Sequence, residues 1–172
     1  MIKFRDALFG GLYGSIAVVL LTGVALLLVR FVPALAKVSE RAELVPITIW
    51  DRLILAAVAV VGGVVIAVLY ALIFEFVTRR AGWLIGAAIG AGHGAVIWLG
   101  AAVIAWSFPH IVDAFPGELS LLFDSFVVIA GFLTLHIVYG AIVGRIYGPP
   151  GHSAAVGTRV KWREVHSAQR SN

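Results

Sequence analysis

His93 and His136 each lie inside a long apolar run, among glycines. Gly82, Gly86, Gly90 and Gly94 follow one another at four-residue spacing around His93, and Gly140 and Gly144 continue the same spacing after His136. Residues four apart stack on one helix face. Both imidazoles therefore border faces slim enough for a second helix to approach closely. Ionisable residues inside an apolar span are costly, and they mark function by default. Imidazole chemistry allows three roles. Paired on two helices, the rings could be axial ligands to haem or a chlorin, or could hold a metal ion. They could relay protons, helped by Glu75 on the inner side and Asp124 or His110 on the outer side. A neutral ring could instead hydrogen-bond across a helix interface or to a carbonyl. A metal would need a third ligand at the same depth, and the sequence offers none.

The other polar residues have simpler readings. Glu75 falls on the stripe Gly63, Ala67, Ala71, Glu75 and is expected to face the bundle, with Arg145 at similar depth as its ion-pair partner. Asp124 sits near the outer end of its run, where a solvated helix terminus is expected. His110 follows Pro109 in a loop. Tyr70 and Tyr139 read as packing residues with a hydrogen-bonded hydroxyl, and Tyr139 lies close enough to His136 to join the candidates. His152 and His166 fall in a polar tail and make no metal tract. The chain has no P-loop, no H-E-x-x-H, no G-x-S-x-G and no paired intramembrane aspartates, so no enzyme is expected. Cysteine is absent, which removes thiolate metal sites and cysteine nucleophiles.

These residues need elements to hold them, and composition says which. Of 172 residues, 61% are hydrophobic and 13% charged, about half the charge of a soluble domain. Mean hydropathy is +1.02. A bilayer core of roughly 30 Å takes about 20 apolar residues as a helix. Four segments qualify, at about 7–30, 52–78, 82–107 and 119–147, and predict an all-α transmembrane four-helix bundle over 1–148. Residues 149–172 form a polar basic tail expected to be disordered. Counted from Gly82 and Tyr147, each histidine is about eleven residues into its span, roughly 16 Å at the helical rise, near mid-membrane.

Charge placement predicts orientation. Lys3, Arg5, Arg79, Arg80, Arg145 and the arginines and lysine of the tail outnumber Arg30, Lys37, Arg41 and Arg52 on the other side. Both termini are thus expected in the cytoplasm, with the chain in an inner (plasma) membrane. The net charge of +4 is read as topology signal and lipid contact, with no nucleic-acid partner. Beyond the lipid bilayer, a larger membrane complex or a homo-oligomer is expected. Trp50, Trp83 and Trp106 stand near span ends, as interfacial rings do. The turn Thr78–Gly82 is tight and predicts that the second and third helices are antiparallel neighbours. Thr48 and Asp51 have capping-box spacing for the start of the second span. Ala34–Leu44 could form a short surface helix, and Ala34-Leu35-Ala36 has the look of a signal-peptidase site, though its apolar stretch is long for one.

The first and third helices share Gly10-Gly11-Leu12-Tyr13-Gly14 and Gly90-Ala91-Gly92-His93-Gly94. The second and fourth share Val68-Leu69-Tyr70-Ala71 and Ile137-Val138-Tyr139-Gly140. The chain reads as one helical hairpin used twice in parallel, although shared composition alone gives glycine-rich helices some likeness. Under this alignment Tyr13 matches His93 and Ala67 matches His136. The run from Gly86 to Gly144, with its glycine-rich helix around His93, its Pro109-His110 loop and its His136, Tyr139 and Gly140, resembles small bacterial inner-membrane proteins of the YagU-like kind. The resemblance covers the second half of the chain. It implies a small inner-membrane protein linked to acid stress, with His93, His110 and His136 as its marked residues. The chain as a whole reads as a small accessory or transport-related membrane protein centred on His93 and His136.

Overall fold

The computed structural model describes residues 2–29, 31, 48–108 and 126–149. The surface segment Ala34–Leu44, the loop holding His110, the Asp124 position and the tail beyond Pro149 lie outside the described residues. The described residues form four helices: α1 (Phe4–Val29), α2 (Ile49–Leu72, continuing as a π-helical turn over Ile73–Thr78), α3 (Trp83–Ser107) and α4 (Phe126–Tyr147). All four are long and apolar enough to cross a membrane. The fold is an all-α four-helix bundle, and the chain is a multi-pass membrane protein.

Local chemistry sets the boundaries. Thr48 opens α2 through the capping box: its hydroxyl accepts from the Asp51 backbone N–H (3.2 Å), and the Asp51 carboxylate accepts from the Thr48 N–H (2.8 Å). This cap places the helix start at Ile49, slightly before the apolar run alone suggests. At the other end of α2 the helix widens into the π-turn, where the Thr78 hydroxyl reaches back to the Ile73 carbonyl (3.4 Å) and forward to that of Arg80 (2.7 Å). Gly82 then enters α3 with φ +140°, a conformation open to glycine and strained for other residues. Ser15, Thr22 and Thr134 return their hydroxyls to the carbonyl four residues back, at 2.7–2.8 Å, so those polar atoms are satisfied inside their own helices.

The bundle is arranged differently from the order of its connections. α1 packs on α2 and on α4, and α3 packs on α4. The expected side-by-side packing of α2 on α3 does not form: they reverse through the Arg79–Gly82 turn yet barely touch along their lengths. Each close pair is set by small residues. A methyl group on Gly11 would lie 2.8 Å from both the Ala67 Cβ and the Val64 Cα, which fixes α1 against α2. Gly14 faces the Tyr139 ring and Gly10 faces Val143, fixing α1 against α4. No comparable small-on-small contact draws α2 to α3. The buried core is correspondingly compact, with Ala7, Ala67, Ala71, Phe74 and Val143 all at 0% exposure. Large apolar side chains such as Leu20, Val61, Leu84 and Val96 point outward, as lipid contact requires. Trp50, Trp83 and Trp106 are exposed near helix ends.

Candidate functional site

α3 and α4 meet backbone to backbone. Gly86 and Gly90 face the carbonyls of Gly140 and His136, and a methyl group on Gly144 would lie 2.9 Å from the Gly86 Cα. Gly94 completes this face against the His136 ring, whose Cβ and Cγ would be 3.0 Å from an added methyl. Gly82, Gly86, Gly90, Gly94, Gly140 and Gly144 thus all lie along one seam, and the seam brings the two histidines together.

His93 and His136 are in ring contact, with centroids 5.3 Å apart and planes at 79°. Both are half-buried. His136 Nδ1 lies 2.8 Å from the Phe132 carbonyl oxygen. A carbonyl only accepts, so Nδ1 carries a proton, and in the neutral ring Nε2 keeps the lone pair. His93 Nδ1 shares a 3.0 Å hydrogen bond with the Tyr70 hydroxyl. That bond spans from α3 to α2, the two helices that otherwise hardly pack. Tyr70 in turn stands edge-on to Tyr139, centroids 5.7 Å apart, and the Tyr139 hydroxyl donates to the Gly63 carbonyl of α2. Ser15, 3% exposed, closes the cluster from α1 beside Gly63. Every helix therefore contributes at least one polar group to a single layer within the spans.

A second polar cluster lies one layer toward the end of the bundle that carries the α2–α3 turn. Glu75, 1% exposed, accepts a hydrogen bond from the Tyr147 hydroxyl (2.7 Å). The expected partner, Arg145, is on the exposed side of α4; Tyr147, two residues on, is the residue that turns inward. The rings of Tyr147, Phe74 and Tyr70 run in sequence from Glu75 toward His93, with centroid spacings of 5.4 Å and 6.4 Å. Phe74 is thus the apolar link between two polar layers.

Geometry limits what the histidines can hold. A haem or chlorin between them would have to pass between α3 and α4, but the Gly90–His136 backbone contact leaves no slot for a flat macrocycle. Among the described residues, no group of three or more His, Cys, Asp or Glu side chains converges on a point. The arrangement sets two imidazoles in contact, a phenol hydrogen-bonded to one of them, and a carboxylate beyond an aromatic column, groups that can exchange protons or brace the bundle through hydrogen bonds.

Tyr70, Ser15 and Tyr147 are the residues that sequence reasoning undervalued. Tyr70 carried a signal, since the internal repeat aligns it with Tyr139, and those two rings meet. Ser15 stands four residues after Gly11 on the glycine face of α1. Tyr147 carried none beyond its place at a span end. Within the repeat, Tyr13, the counterpart of His93, is 56% exposed, so the first hairpin builds no matching site. Comparison with family models, curated proteins and solved structures finds no match to this chain.

Proposed function

We propose that this is a transport-related inner-membrane protein that handles protons through the Tyr70–His93–His136 cluster, with both termini in the cytoplasm. The observation that carries this reading is the contact of two imidazoles inside the bundle, one of them hydrogen-bonded to a phenol on a third helix. Ionisable groups at such depth are retained at a cost in stability, and ion or proton paths are their usual use. Small residues supply the support. The seam of Gly86, Gly90, Gly140 and Gly144 brings α3 and α4 close enough for the rings to touch. The YagU-like resemblance, carried by His93, His136, Tyr139 and Gly140, leans the same way through its link to acid stress.

The test is proton flux. Purified protein in liposomes holding a pH-sensitive dye should dissipate an imposed pH gradient faster than empty vesicles, and His136→Gln should slow it toward the empty-vesicle rate. Flux indistinguishable from empty vesicles would refute the proposal. One observation favours a second reading: Tyr70–His93 joins two helices that barely pack, so the cluster would serve as a brace in an accessory subunit. Mild-detergent extraction separates the readings, because an accessory subunit should emerge within a larger complex.

A further inference from the structure

Glu75 has a setting that the histidine cluster does not explain. It lies in the π-helical turn Ile73–Thr78 of α2, and π-turns recur at functional positions because they reorient side chains and loosen backbone pairing. Its side chain is 1% exposed, one turn from the fully buried Ala71 and next to the fully buried Phe74. The Tyr147 hydroxyl that donates to Oε1 is itself the acceptor of the Lys3 backbone N–H (3.3 Å). The Lys3 ammonium donates to the Pro149 carbonyl (2.5 Å) and stands 5.8 Å above the Tyr147 ring. The first residues of the chain are therefore fastened to the end of α4, and together with Tyr147 they close the bundle over Glu75.

We propose that Glu75 is a proton-binding carboxyl, sealed from the adjacent solution by a closure built from Lys3 and Tyr147. The proposal rests on the proton-handling reading and adds a second station to it, one aromatic layer from His93. The step is simple binding: the carboxylate takes one proton from solution to become the neutral acid and later returns it, with no other bond made or broken. The closure must open for each exchange, and its opening frees the Lys3 N–H from Tyr147. Among the described residues, the ionisable groups on this side of the bundle include Tyr147 of α4, which bonds the carboxyl, Lys3, whose N–H bonds the Tyr147 hydroxyl, Asp6 in the first turn of α1, and Tyr70 deeper on α2. Arg79 and Arg80 of the turn and Arg145 of α4 are exposed. The aromatic column of Tyr147, Phe74 and Tyr70 points from this carboxyl toward His93, with Phe74 as the apolar barrier between the stations.

Carbodiimide labelling of the full-length protein in lipid tests this without any flux measurement. A hydrophobic carbodiimide adds across the O–H of a protonated, membrane-buried carboxyl and rearranges to a stable N-acylurea, with no leaving group. Mass spectrometry should find one adduct, mapped to Glu75, absent from Glu75→Gln and retained in Glu75→Asp. Tyr147→Phe removes the hydroxyl that stabilises the carboxylate and opens part of the closure, so labelling should speed up several-fold. A water-soluble carbodiimide should leave Glu75 of the unmodified protein untouched. No adduct at Glu75 would overturn the proton-binding claim, and equal labelling by the water-soluble reagent would overturn the closure. An adduct at Glu75 in a protein without proton flux would leave this site standing and remove the transport reading; flux without an adduct would do the reverse.

Discussion

Replacing Gly90 by alanine tests how closely α3 and α4 approach, because Gly92 on the same helix provides its control. A methyl group on Gly90 would lie 2.9 Å from the His136 carbonyl carbon and 3.2 Å from the Ile137 Cα, against the roughly 3.5–4.0 Å that carbon atoms prefer. Backbone cannot rotate aside as a side chain does, so α4 would have to retreat. Gly92 has nothing within 4 Å of the same added methyl. Both substitutions gain the same helix propensity, about 0.5–1 kcal/mol, which cancels between them. The difference is then the overpacking term alone, about 1–3 kcal/mol. At about 2–4 °C per kcal/mol for a chain of this size, Gly90→Ala should melt below Gly92→Ala by several degrees. Thermal unfolding followed by circular dichroism in one detergent measures it. Equal melting of the two variants would refute the backbone-to-backbone seam, and with it the contact that brings His93 to His136.

Tyr70→Phe should lower stability by about 0.5–1.5 kcal/mol through loss of its hydrogen bond to His93 and should slow proton flux; a stability loss without any change in flux would leave the hydroxyl as a brace only. Thr48→Ala removes the cap of α2 and should cost about 0.5–2 kcal/mol in the same melting assay, with no effect on flux because the cap lies at the opposite end of α2 from Glu75. A phosphatase active only outside the cytoplasm should be inactive when fused after Pro149 and active when inserted between residues 109 and 118. The reverse pattern would invert the proposed orientation.

The architecture was legible because lipid imposes simple rules. Long apolar runs must become helices, and the Thr48-x-x-Asp51 spacing marks a helix start whatever surrounds it. The histidine contact was permitted by the sequence but not dictated by it: glycines every fourth residue define a face, and a histidine bordering that face turns toward a partner helix, but which helix that is depends on the packing. Two features were hidden. A short turn between α2 and α3 suggests that they pack together, but packing follows surface shape, and the slim faces of α2 and α3 are turned to α1 and α4. The partner of Glu75 was hidden because Arg145 and Tyr147 lie at nearly the same depth. Only the rotation of α4 decides which faces inward, and that rotation is set by Gly140 and Gly144 seating against α3.

The claim at the centre of the account is that the paired imidazoles exchange protons with water, and ¹⁵N NMR of histidine-labelled protein in bilayers addresses it directly. Both the His93 and His136 signals should change protonation state as bulk pH is varied, and Gln at position 136 should shift the titration of His93, since the rings are in contact. Two rings that hold one neutral tautomer throughout, each indifferent to the other's replacement, would contradict the account and leave the cluster as a structural brace.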